Sequence, residues 1–151
     1  MSWHEQALLE ELAEPIRDAR ASIVLDPSDV LALFFEQFPA GSGIVDWDRV
    51  VNKRSLRVLN PSKTRRVVEA QDAIDSFWRE AQERGDIQPG EPAWIVFNDL
   101  VDFAVFTDVS TLDGLLAVVL DTVPSNALVF SDQLEWAMTY TVQDVVTLGR
   151  A

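Results

Sequence analysis

Nucleophilic catalysis needs a base beside a hydroxyl or thiol. The chain offers one imidazole, His4, in what reads as the first turn of an N-terminal helix, and it has no Cys. Without Cys there is no thiolate chemistry and no disulfide. One His cannot supply the clustered ligands of a zinc site. Asp46 and Asp48 in "DWDRVVNKRS" have the start of a calcium-loop spacing. That loop also demands Gly at its sixth position and Glu at its twelfth, and both are missing. "AGSGIVD" has two glycines but no phosphate-cradling pattern. Two carboxylates can work as acid and base, yet nothing in the spacing selects a pair among 25 acids. The reading is therefore no catalytic residue, no metal site, no cofactor, and not an enzyme.

The remaining chemistry is charge. Net charge is −13, and it is unevenly spread. Between Gly85 and Gly149 there is no Lys or Arg, against ten acids. Six of the twelve cations fall within "KRSLRVLNPSKTRR": Lys53, Arg54, Arg57, Lys63, Arg65 and Arg66. This stretch reads as a basic loop. No aromatic residue interleaves its cations as base-stacking surfaces require. An acidic remainder repels nucleic acid and attracts basic protein. The expected partner is a basic protein, with no nucleic acid and no membrane.

The elements that must position these charges follow from patterning. A chain of 151 residues with 48% hydrophobic residues can bury roughly 70% of its unfolded surface in a single domain, 1–151. The apolar run Leu115–Leu120, which none exceeds, falls far short of the ~20 residues that span a bilayer. The acidic N-terminus does not read as a signal peptide. A cytoplasmic location is expected.

Residues 1–85 read as mainly helical. Ser2 and Glu5 form a capping box ahead of Leu8, Leu12, Ile16 and Ala19. Pro15 should kink or split that helix. Asp26 and Pro27 start a second helix with Val30, Leu31, Phe34, Phe35 and Phe38 on its apolar face. "DWDRVV" reads as one helical turn. The clearest helix begins near Asn60 and stops at Gly85, where a left-handed residue belongs.

Beyond Pro92 the period changes from helical to alternating. Residues 92–151 read as two β-hairpins with an intervening helix: strands at 94–98, 103–107, 127–131 and 135–141, and a helix capped by Ser110 and Asp113. The tail from Thr141 to Gly149 reads as a short helix, with a strand as the alternative. The expected fold class is α+β, with a helical N-terminal half packed on an antiparallel sheet of about four strands in ββα-ββα order. Phe34, Phe77, Phe97, Phe130, Trp136 and Met138 are expected to be buried.

The two hairpins repeat each other. "IVFNDLVDFAVF" (Ile95–Phe106) and "LVFSDQLEWAMT" (Leu128–Thr139) align 33 residues apart. Val96 matches Val129, Phe97 matches Phe130, Asp99 matches Asp132, and Ala104 matches Ala137. Duplication and convergence on the small residue menu of hairpin turns both account for it. Alternation puts Ile95, Phe97, Phe103 and Val105 on one core face with Leu128, Phe130, Trp136, Met138 and Tyr140. The opposite face, with Val96, Ala104, Phe106, Val129, Ser131, Ala137 and Thr139, reads as open to solvent or to another protein. Asp99, Asp102, Asp132 and Glu135 fall at hairpin ends and are expected along one edge. Trp94 and Tyr140 are expected as aromatic anchors at the sheet margin, since rings with a polar handle suit interface centres.

A small, acidic, Cys-free α+β chain without a catalytic constellation resembles, in overall character, the bacterial immunity proteins of polymorphic and contact-dependent growth inhibition toxins. That resemblance implies stoichiometric binding of a cognate toxin, many of which are basic nucleases. The partner-binding residues expected are Asp99, Asp102, Asp132, Glu135, Trp94 and Tyr140. The alternatives are an intracellular adaptor or chaperone-type interaction domain, and a carboxylate-based enzyme.

Overall fold

The computed structural model describes residues 2–40, 45–50, 53–57, 76, 79–85, 87–97, 102–112, 115, 127–140 and 145–150. Its elements are α1 (Trp3–Asp18), β1 (Ser22–Leu25), α2 (Ser28–Gln37), a 3-10 turn (Trp47–Arg49), β2 (Lys53–Arg57), β3 (Pro92–Phe97), β4 (Phe103–Asp108), β5 (Ala127–Ser131), β6 (Trp136–Tyr140) and β7 (Val145–Arg150). Further helical residues lie at 79–83 and 109–112 and at Leu115. The strands form one seven-stranded sheet in the order β1-β4-β3-β5-β6-β7-β2, and every pairing is antiparallel. The class is α+β.

The first half is less helical than its pattern suggests, because it supplies both edge strands. Arg20 takes φ 54° just past α1. Its N–H donates to the Arg17 carbonyl and the Ala21 N–H to the Ile16 carbonyl, at 3.0 and 2.9 Å. This is the paired-bond ending of a Schellman motif, and it releases "SIVL" into β1 instead of continuing the helix. Pro15 does not split α1. Only three helical residues follow it, so the missing N–H costs a single bond near an end that is otherwise tied down. Ser2 and Glu5 close the capping box at the other end. At α2, Asp26 Oδ1 accepts from the Ser28 N–H at 3.3 Å and from the Ser28 hydroxyl.

The front of the basic stretch is a strand, not a loop. Lys53–Arg57 pairs along β7 from Lys53↔Gly149 to Arg57↔Val145. Charged residues, Lys above all, are the usual composition of an edge strand, and the Lys53 ammonium donates to the Trp47 carbonyl. Lys63, Arg65 and Arg66 lie outside the described residues, as does most of the helix expected from Asn60, Phe77 included. That helix does end at Gly85, with φ 76°. The tail resolves as strand β7, not as the short helix, so the order is not ββα-ββα. Its β-branched run is held between β6 and β2, and residues 141–144 lie outside the described residues. The helix after β4 starts two residues early. Asp108 Oδ1 accepts from the Thr111 N–H at 3.1 Å and from the Ser110 hydroxyl, so Asp108 takes the role assigned to Ser110.

Both faces of the sheet are covered. One carries Ile95, Phe97, Phe103, Val105, Val129, Trp136, Met138 and Tyr140 under Leu8, Leu12 and Ile16 of α1 and Leu112 and Leu115. The other carries Val96, Ala104, Leu128, Phe130 and Ala137 under Phe34 of α2 and its C-cap Phe38, with Val45 and Val50. Phe34 lies 4.7 Å from Phe130, ring centre to ring centre. The Trp47 indole N–H donates to Thr139 Oγ1 at 2.8 Å on that second face. The face expected to be open is therefore a second core. Every residue of β5 and β6 is buried, as central strands covered on both sides must be.

The register also distinguishes the two repeated lines. Val96 pairs with Ala104, but the matched Val129 and Ala137 are not partners: Val129 pairs with Met138, and Phe130 with Ala137. The second hairpin is slipped by one residue. One step flips every side chain, so Phe97 belongs to the first core and Phe130 to the second. Leu128 and Phe130 thus leave the face expected for them, and Val129 replaces them there. The two lines do not superpose as one structural unit, which favours convergence.

Candidate functional site

The described turn carboxylates, Asp102, Asp132 and Glu135, do not share an edge. The β3–β4 connection leaves from Phe97 and returns at Phe103, whereas Ser131 lies beside Ala93 at the other end of β3. Asp132 and Glu135 are therefore separated from Asp102 by the length of β3, about 17 Å at the usual rise per residue. The cause is topological: β5 docks antiparallel on β3, so the two hairpins point in opposite directions. Asp99 lies outside the described residues.

At its end of the sheet, Asp102 serves the fold. Its N–H donates to Glu5 Oε2 at 3.1 Å, and its carbonyl accepts from the Asp26 N–H at 3.1 Å. The Glu5 carboxyl is held below its ordinary pKa, first by this Asp102 N–H and then by Ser2. The Asp26 carboxyl is lowered too, chiefly by the Ser28 hydroxyl. The Asp102 side chain is exposed.

The opposite end collects acids that sequence spacing does not bring together. Asp108 stands opposite Pro92 in the ladder, and Glu91 precedes it. The Asp132 N–H donates to the Pro92 carbonyl at 3.0 Å. Glu91, Asp108, Asp132 and Glu135 thus sit around the ends of four adjacent strands, β4-β3-β5-β6. Asp132 and Glu135 are exposed, and Glu91 and Asp108 half-buried. The turn carrying Asp132 is tied down by hydrogen bonds. Buried Ser131 Oγ accepts from the Glu135 N–H at 2.8 Å, the Leu134 N–H donates to the Ser131 carbonyl at 2.9 Å, and Leu134 takes φ 61°. Lys53 and Arg150 end the next strands at the same side, so the rim runs from acidic to basic.

Of the two expected aromatic anchors, one lies partly at the surface and one in the core. Trp94 is half-buried, tilted against Phe106 at 4.7 Å, and its indole N–H donates to Asp132 Oδ1 at 2.9 Å. Tyr140 is 4% exposed and belongs to the first core. Burial removes it from any docking surface, because the face expected to be the sheet margin lies under helices. Glu91 and Asp108 were missed by the sequence reading. The signal available for them was position, since both flank strand ends next to turn residues.

No group of three or more His, Cys, Asp or Glu among the described residues is arranged to hold a metal ion. His4 makes an edge-on contact with the exposed Trp3. No helix among the described residues is long and apolar enough to cross a membrane. No protein-family model and no curated protein sequence matches the chain.

Proposed function

We propose that this chain is a stoichiometric inhibitor of the immunity type, which binds a basic, nuclease-like toxin domain through the acidic end of its sheet and blocks it without turnover. The observation that carries the reading is the link between Trp94 and Asp132 on a rim that also holds Glu91, Asp108 and Glu135. A basic partner is steered by the −13 charge, and an ordered turn loses little entropy on docking. Trp94 supplies apolar area beside a carboxylate already aimed by a hydrogen bond. Asp102 belongs to the opposite end and makes a separate, secondary contact at most. Work is done in the cytoplasm, where the toxin acts.

The test is titration of the toxin domain encoded beside this chain's gene. The proposal expects its activity to fall linearly to zero at one equivalent of inhibitor, with no consumption of the inhibitor. Inhibition that requires substoichiometric inhibitor and continues with time would indicate an enzyme. Binding that leaves the partner active would support the adaptor reading.

A further inference from the structure

The two edges of the sheet are built differently. β2 carries Lys53, Arg54 and Arg57 in five residues, the usual protection of an exposed edge. β1 reads Ser-Ile-Val-Leu, with no charge and no proline. The ladder shows which of its backbone groups are free. The Asp26 N–H donates to the Asp102 carbonyl, and Ser22↔Phe106 and Val24↔Ala104 follow in the same phase. Antiparallel bonds alternate, so the N–H and C=O of Ile23 and Leu25 point away from the sheet. Beside them, Leu9, Ala13 and Ile16 of α1 and Ile23 and Leu25 of β1 line a groove of about 680 Å³. Leu25 is 61% exposed. The groove is open because the sheet ends beneath the helix.

We infer that β1 pairs antiparallel with β1 of a second copy, making one continuous sheet across a two-fold axis at Val24. In that register Ile23 stands opposite Leu25 of the second copy, and the four outward groups of each strand find partners. The charges agree. Arg20 precedes β1 and Asp26 follows it, so antiparallel pairing brings the basic end of one strand to the acidic end of the other. Arg17 and Arg20 line the groove, and among the described residues neither has an ion-pair partner. Leu25 and Ile23 of the second copy fill the groove under α1. The surface lies on a sheet edge away from Asp132, so the inference stands independently of the inhibitor reading.

The test is sedimentation velocity of the full chain over a concentration series, with amide exchange followed by NMR. Dimer is expected, with slow exchange at Ile23 and Leu25. Leu25→Pro removes an outward N–H in each copy while leaving the β4 ladder intact. Two lost bonds should raise the dimer dissociation constant by about tenfold or more. Leu25→Lys, which keeps the N–H, should weaken the dimer by charge repulsion and loss of the groove contact. Rising salt should tighten the wild-type dimer, because each copy carries −13 and screening relieves their repulsion. A monomer at every concentration, fast exchange at both amides, or a dimer unchanged by Leu25→Lys overturns the inference. If Leu25→Pro fails to fold, the wild-type exchange rates and the Leu25→Lys series decide it.

Discussion

The indole N–H of Trp94 donates to Asp132 Oδ1 over 2.9 Å, joining two residues 38 positions apart in the chain. Asp132 also fastens its own N–H to Pro92, so the turn and the strand start form one unit. Trp94→Phe and Asp132→Ala should each cost about 0.5–1.5 kcal/mol of stability. Their effects should not add, because each change removes the same bond. A double-mutant cycle by urea denaturation measures the coupling, and fully additive losses would mean the bond contributes nothing in solution.

Phe130 occupies the second core, against Phe34 at 4.7 Å, and Phe34 stacks on Phe38 at 4.8 Å. Phe130→Ala should destabilise the fold by about 3–5 kcal/mol. Phe97→Ala empties the first core and should cost a similar amount. Since the two sites lie on opposite faces, the double variant should lose close to the sum. Chemical denaturation giving less than about 1 kcal/mol for Phe130→Ala would contradict its burial against Phe34 in the second core.

Glu5 and Asp26 both have lowered pKa values in the folded chain, from ordinary values of 4.5 and 3.8. A group depressed on folding adds stability above its unfolded pKa and loses it as pH falls through the folded value. The acid limb of stability should therefore steepen below about pH 4.5. Glu5→Gln and Asp26→Asn should each flatten that limb and leave the neutral-to-alkaline profile unchanged in shape. Thermal melts between about pH 2 and 7 check this, and a flattening above pH 6 would assign the effect to other groups.

Arg20 ends α1 in the left-handed region at φ 54°, a conformation that costs a residue with a Cβ about 1 kcal/mol. Arg20→Gly should hold or raise stability by up to about 1 kcal/mol. A loss of more than about 1 kcal/mol would mean that the arginine side chain contributes packing that outweighs its strain.

The strands with alternating patterns, β3, β4 and β6, were legible in the sequence, as were the capping box and the Gly85 stop. β5 was legible as a strand but not in its facing, because "ALVFS" is apolar at nearly every position and carries no parity. β7 was legible only as the alternative to a short helix, and β1 and β2 were hidden for another reason. Lys53 meets Gly149 and Ser22 meets Phe106, so each edge depends on a partner far along the chain. Acidic turns were visible as turns, but their placement at opposite ends follows from how β5 docks on β3. The same docking brought Glu91 and Asp108 to Asp132, which no local spacing encodes.

The central claim is that the acidic rim around Asp132 takes a basic protein partner. Stopped-flow association of the adjacent-gene toxin domain at low and high salt, with Asp132→Lys/Glu135→Lys beside wild type, tests it most directly. Wild type should form a 1:1 complex whose association slows as salt rises while dissociation stays slow. The double variant should associate at least about tenfold more slowly at low salt and show a weaker salt dependence. Absence of a wild-type complex, or identical rates for both proteins at both salts, would contradict the account.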